Sequence, residues 1–193
     1  MTEYNGINLS KDKRTDKNTT THKFKMDLID TFKTDRWYEC SVLEVSCYRG
    51  FTTSILSRLF TKVYAVDQNR NYLNDAKTYN SNRFNIEFIK RDVYGEKKWD
   101  ELPIVDVVFI DCNHDYGSVT SDLHESIKHL NDGGFIVMDD YGLYSAVRKA
   151  VKDFMEEMDG KININKFIGE PKGSTARKGK IMDDFEGIIL EYK

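Results

Sequence analysis

The chain has 193 residues, 39% hydrophobic and 32% charged, with a formal net charge of −3. Such a length and balance fit one globular domain with a sizeable core. The small negative charge supplies no basic field of the kind that draws in nucleic acid, so a small-molecule partner is expected. No apolar run approaches a membrane span, and the polar N-terminus lacks a secretory signal's apolar segment. The three cysteines, Cys40, Cys47 and Cys112, are odd in number and show no Cys-x-x-Cys pairing. That favours free thiols acting as small core residues in a reducing, cytoplasmic setting.

Residues 1–20 are rich in Lys, Asp, Asn and Thr, and their composition predicts a polar, mobile arm ahead of a single domain over 21–193. From Thr21 to Phe32, the positions Met26, Leu28, Ile29 and Phe32 give a helix with one apolar face. Strands and helices then alternate. Strands are expected at 41–46, 62–66, 84–90, 105–111 and 133–138, and helices at 50–60, 69–79, 117–130 and 143–157. Runs that are apolar almost throughout, such as 105–110 and 134–138, belong in a parallel sheet covered on both faces. Segments 162–169 and 185–192 break the alternation, because both have strand character and only a loop-like stretch joins them. Two strands without a crossover helix pair antiparallel. The expected fold is therefore α/β: a Rossmann-like, doubly wound, seven-stranded sheet, mostly parallel, ending in an antiparallel hairpin.

The stretch from Val42 to Gly50 has the pattern of a buried strand and a tight turn opening a helix, and Val63 to Asp67 that of a second strand ending in an acid. This layout holds a nucleoside, with backbone close to the ligand and the acid accepting the ribose hydroxyls. Asp67 can alternatively cap the helix that begins near Asn69. Asp92 after the third strand has the same two readings, ligand contact or cap. Further on, Asp111-Cys-Asn-His114-Asp-Tyr116 ends the fourth strand and Asp139-Asp140 ends the fifth, which pairs with it. Three carboxylates at one crevice repel unless a cation or proton lies between them, and hard oxygen ligands suit Mg²⁺, Mn²⁺ or Ca²⁺. The alternative makes Asp140 a helix cap and leaves Asp111 bonded to backbone.

The spacing Glu44-x-Ser46-x-x-x-Gly50 resembles the first motif of class I S-adenosylmethionine (SAM) methyltransferases, E/D-x-G-x-x-x-G, with Ser46 in place of a glycine. Taken with Asp-x-x-His-x-Tyr after strand four, Gly133-Gly134 before strand five and Asp-Asp after it, residues 40–155 resemble the methyltransferase 24 branch of that class, which is similar to metal-assisted O-methyltransferases. The resemblance implies SAM as cofactor, held by Glu44, Ser46, Gly50, Asp67, Asp92 and Asp111. It implies Asp111, Asp139 and Asp140 as ligands of a divalent ion, and His114 with Asp111 as the catalytic pair, His114 being the general base. Methylation of a hydroxyl oxygen is the activity it points to. The rival readings are a nucleotide-binding oxidoreductase, disfavoured by the missing G-x-G-x-x-G, and a silent SAM- or partner-binding protein, which Ser46 keeps in play. Finally, the basic loop 170–184, with Lys172, Arg177, Lys178 and Lys180, is expected at the cofactor edge of the sheet, bordering the acceptor pocket.

Overall fold

A computed structural model describes residues 3–15, 19–96, 99–175 and 179–193. Strands β1 (Glu3–Tyr4) and β2 (Ile7–Asn8) form a short antiparallel ribbon, followed by helix α1 (His22–Phe32) and a 3₁₀ turn at Asp35–Glu39. The alternating part comprises β3 (Ser41–Val45), α2 (Phe51–Leu56), β4 (Lys62–Asp67), α3 (Arg70–Tyr79), β5 (Ile86–Lys90), β6 (Val105–Ile110), α4 (Tyr116–Lys128), β7 (Leu130–Met138) and α5 (Ser145–Glu157). Strands β8 (Ile162–Ile168) and β9 (Gly187–Tyr192) complete it. Among the described residues the main sheet has seven strands in the order β5-β4-β3-β6-β7-β9-β8. The first five run parallel, and β9 is antiparallel to both of its neighbours, as the hairpin reading requires.

Alternation along each strand divides the core in two. Leu43, Val45, Val108, Ile110, Ile136 and Met138 face α4 and α5, where Leu123, Val151 and Phe154 are buried. Val42, Val107, Phe109, Phe135 and Val137 face the other way, onto Phe24, Leu28 and Phe32 of α1 and Ile55 of α2. Both faces are covered, which is why these strands carry almost no polar positions. The chain winds outward from β3 through β5, then returns to place β6 on the other side of β3. That reversal opens a crevice at the strand ends, where sheets of this type bind ligands.

Caps fix the helix starts above this crevice. Asn69 accepts from Asn71 N and caps α3, and Asp115 accepts from Ser118 N and caps α4. Tyr144, in the capping position before α5, makes no side-chain cap bond. Asp67 and Asp140 are thus not spent as helix caps. The three cysteines are free, as expected, and among the described residues no helix is long and apolar enough to cross a membrane.

The first twenty residues depart from expectation. Where described, they are part of the body rather than a separate arm: Leu9 is fully buried, Ile7 joins the α1-side core, and Asp12 and Lys13 are buried too. Two apolar anchors suffice here because the polar side chains find partners inside. Asp12 accepts from His22 N and Arg14 N, and Thr21 donates from its backbone and its hydroxyl to buried Glu186. A composition rich in polar residues registers solvation and misses such internal pairing.

Candidate active site

A cleft of about 440 Å³ opens over the C-terminal ends of β3, β4 and β5, lined by Ser46, Tyr48, Asp67, Tyr72, Asp92 and Asn113 among others. Asp67 sits at its floor. Its Oδ2 accepts from Tyr48 N at 2.9 Å and its Oδ1 from Asn69 N at 2.8 Å. The two bonds fix the carboxylate's orientation, and each oxygen keeps further acceptor capacity. Burial pushes its pKa up, and the two backbone bonds oppose that rise. Asp92 is exposed on the cleft wall and accepts from Tyr94 N at 3.0 Å, so it caps its own turn and faces the ligand space at once. Tyr48, Tyr72 and Tyr94 supply the aromatic walls; nothing in the motif spacing singled them out.

The turn after β3 is strained where the family motif has glycine. Ser46 holds φ +71° while its N–H and that of Cys47 both bond Val66 O at 2.9 Å. A left-handed backbone at a non-glycine residue costs about 1–2 kcal/mol. We expect Ser46→Gly to raise the melting temperature and to bind cofactor at least as tightly as the parent. A large loss of affinity in a calorimetric titration would show instead that the Ser46 hydroxyl is a ligand contact. Gly50 also has positive φ, but for another reason than the sequence suggested. It does not line the cleft, and a Cβ there would lie 2.6 Å from Asn80 Nδ2 and 2.9 Å from Ala76 Cβ. Its bareness lets α2 and α3 pack, which shapes the turn indirectly.

Glu44 is likewise set back from the main cleft. Its buried carboxyl accepts from Thr53 Oγ1 at 2.5 Å and borders a small void with Ser46 and Asp111. Burial raises its pKa to about 8, against the Thr53 bond, with the nearby Asp111 and Asp67 adding to the rise. A carboxyl held in this state is poised to take on charge when a cation arrives beside it.

A second pocket of about 230 Å³ continues from the cleft and shares Ser46, Tyr48, Tyr72 and Cys112 with it. Its far wall consists of Lys13, Asp111, His114 and Asp140. His114 Nε2 lies 2.8 Å from Asp140 Oδ2 and 3.9 Å from Asp111 Oδ1, and its ring stacks on Tyr144 at 4.4 Å with an interplanar angle of 2°. Burial disfavours a charge on the ring, yet Asp111 and Asp140 outweigh it and lift the pKa to about 10. Burial also opposes charge on Asp140, but Lys13 and His114 hold its carboxyl below the usual range. Asp140 reaches this position with a left-handed φ of +60°.

The structure groups the acids differently from the expected set of Asp111, Asp139 and Asp140. Among the described residues, the side chains whose ligand atoms lie within 4.8 Å of one another are Asp111, His114 and Asp140. Asp139 is withdrawn behind Lys13, which bonds Asp139 Oδ2 at 3.0 Å and Asp140 Oδ1 at 2.6 Å. Asp111, His114 and Asp140 each offer one ligand atom, with His114 Nε2 2.8 Å from Asp140 Oδ2. The other oxygen of Asp140 is held at 2.6 Å by the Lys13 ammonium, which an ion would have to displace or share. The described residues of loop 170–184 come to this edge, as expected: Lys180 Nζ is 4.9 Å from the Tyr144 ring and Met182 packs with Leu143. Arg177 and Lys178 lie outside the described residues.

Comparison with known proteins identifies the family and the fold. The family described as "Methyltransferase domain" matches residues 43–141, the span that contains the turn, Asp67, His114 and both terminal acids. An uncharacterized protein, R132, of Acanthamoeba polyphaga mimivirus is 29% identical over 160 residues, covering 73% of this chain and 70% of that one. Among solved structures, precorrin-6y C5,15-methyltransferase from Geobacter metallireducens superposes with a TM-score of 0.67 at 17% identity, covering 92% of this chain and 93% of that one. Fibrillarin from Aeropyrum pernix, solved with natively bound S-adenosyl-L-methionine, gives 0.61 at 18% identity, over 86% of this chain and 74% of that one.

Proposed function

The chain belongs to the methyltransferase-domain family, and on that premise we propose that it transfers a methyl group from SAM to a hydroxyl oxygen of a small acceptor. The observation that carries this reading is the continuity of the two pockets. A nucleoside-sized cleft ends at Ser46, Tyr48, Tyr72 and Cys112, and the smaller pocket beyond it ends at a histidine between two carboxylates. Asp67 would hold the ribose hydroxyls, Asp92 the adenine edge, and Glu44 with Asp111 would face the cationic end of the cofactor. When bound, SAM supplies an electrophilic methyl group on a sulfonium centre.

The residues of the second pocket do the rest. Transfer forms an oxygen–carbon bond as the sulfur–carbon bond breaks, and the acceptor's proton must leave. His114 is the group placed to take it. In the protein by itself, Asp111 and Asp140 hold the ring cationic. A positive charge brought to the junction of the pockets opposes that imidazolium and returns the ring toward its neutral, proton-accepting form. Tyr144 fixes the ring plane by stacking, so the acceptor hydroxyl and methyl can be aligned against a rigid base. No step needs a divalent ion. The small volume of the second pocket, about 230 Å³, and the net charge of −3 favour a small acceptor over nucleic acid.

Calorimetric titration tests the cofactor directly: SAM and S-adenosylhomocysteine should bind one to one, and NAD⁺ should not. Incubation with methyl-labelled SAM and a panel of phenols, sugars and hydroxy acids should then label one class at oxygen. Saturable NAD⁺ binding without SAM binding would reject the reading in favour of an oxidoreductase. SAM binding with no labelled acceptor in the panel would favour a silent binder.

A further inference from the structure

A lysine bonded to two aspartates is the feature of this site that the family motif does not contain. Lys13 comes from the N-terminal segment, more than a hundred residues from its partners in sequence, and is only 3% exposed. Its ammonium donates to Asp139 Oδ2 at 3.0 Å and Asp140 Oδ1 at 2.6 Å, and it lines the pocket beside Asp111 and His114. Burying an ammonium costs several kcal/mol unless the charge is paired and bonded. Here it is paired on the pocket side, and its segment is pinned on the other. Lys13 N–H bonds Thr20 O, Asp12 accepts from His22 N, and Thr21 bonds Glu186.

We propose that Lys13 is the resident cation of this acid centre, holding Asp139 and Asp140 in place so that the centre excludes a divalent ion and works without one. The proposal rests on the methyltransferase reading only for its second half. Exclusion of the ion is a property of the folded chain alone. A divalent ion needs several anionic oxygens turned toward one point at about 2.0–2.6 Å. Among the described residues, Lys13 holds Asp139 Oδ2 and Asp140 Oδ1, and Asp139 Oδ1 is buried without a hydrogen-bond partner, so the ammonium stands where the two acids would otherwise turn oxygens toward an ion. The ammonium has another consequence that a hydrated ion would lack. It is covalently part of the chain, so the charge that organises the acids cannot be lost by dilution or chelation.

The test uses Mn²⁺ as probe, followed by electron paramagnetic resonance in the absence of SAM. The wild-type chain should leave the free Mn²⁺ signal unchanged up to millimolar metal. Lys13→Ala should acquire one site with at least tenfold tighter apparent affinity, and Lys13→Ala/Asp140→Asn should lose it again. Lys13→Arg, which keeps the charge, should exclude Mn²⁺ like the parent. One tight Mn²⁺ site in the wild-type chain that Asp140→Asn removes would overturn the proposal. That measurement needs no lysine variant, so it decides the matter even if Lys13→Ala fails to fold. With a labelled acceptor in hand, excess chelator should leave wild-type transfer unchanged, and loss of transfer that Mg²⁺ restores would overturn the second half alone. Failure to find any acceptor would count against the methyltransferase reading and leave the Mn²⁺ result standing.

Discussion

Replacing His114 by alanine is expected to lower the rate of methyl transfer by roughly 10²–10⁴-fold, the range for loss of a general base, while SAM still binds, and more tightly near neutral pH because the opposing cationic ring is gone. The cleft proposed for the cofactor is lined by Asp67, Asp92 and Tyr72, none of which contacts His114 by hydrogen bond or ion pair among the described residues. The wild-type pH profile should also be unusual. In the free protein the ring has a pKa of about 10, above its ordinary 6.5, so kcat/KM should climb with pH until near 10 rather than level off near 7. The sign follows from the role: a base works in its unprotonated form, and raising the pKa moves that form to higher pH. In His114→Ala this limb should vanish, and the deficit relative to wild type should narrow where the acceptor ionises unaided. A variant with undiminished turnover would confine His114 to packing against Tyr144.

The second large effect is expected at Asp67. Removing its carboxylate takes away the acceptor proposed for two ribose hydroxyls, charge-assisted bonds worth about 1.5–3 kcal/mol each, so affinity for SAM should fall by about 10²-fold or more. Asp67→Ala also frees Tyr48 N–H and Asn69 N–H, which the two carboxylate oxygens now hold. Asp67→Asn separates the effects, because one amide oxygen can still satisfy one of those donors. We expect calorimetry to rank the affinities wild type, Asn, Ala in falling order. Equal affinity across the three would move the nucleoside out of this cleft.

What could be read from the chain alone follows from how each feature is encoded. The strand–turn–acid unit from Val42 to Asp67 is local, its periodicity and spacing lying within one short stretch, and the structure reproduces it. The hairpin of β8 and β9 was equally legible, since missing helix signal between two strands leaves only an antiparallel pairing. The acid centre was harder. Asp139 and Asp140 are adjacent, and neighbours on extended backbone project in opposite directions. Adjacency alone therefore does not predict convergence; it is the left-handed backbone of Asp140 that lets its carboxylate share Lys13 with Asp139 and reach His114 with its other oxygen. Lys13 was out of reach altogether. Its partners are 126 and 127 residues away, and a buried lysine has no local signature that distinguishes it from a solvated one. Tyr94 belongs to the same class: its hydroxyl donates to Asp122 Oδ2 at 2.7 Å, a long-range pairing that sets a cleft wall.

The position of β9 bears on how such a chain comes together in time. It lies between β7 and β8 in the sheet but follows both in sequence, so β8 has no sheet neighbour until residues 187–192 have been made and inserted. Insertion closes a long loop and must displace whatever transiently covers the free edge of β7, which makes it a slow step by the usual dependence on contact separation. Glu186 immediately precedes β9, and its carboxylate is what Thr21 and Glu170 N–H are bonded to. On the ribosome, the nucleoside cleft between β3 and β5 has its whole sequence available early, whereas the anchorage of the Lys13 segment waits for the last strand. A nascent chain should therefore acquire cofactor affinity well before it acquires an ordered acid centre.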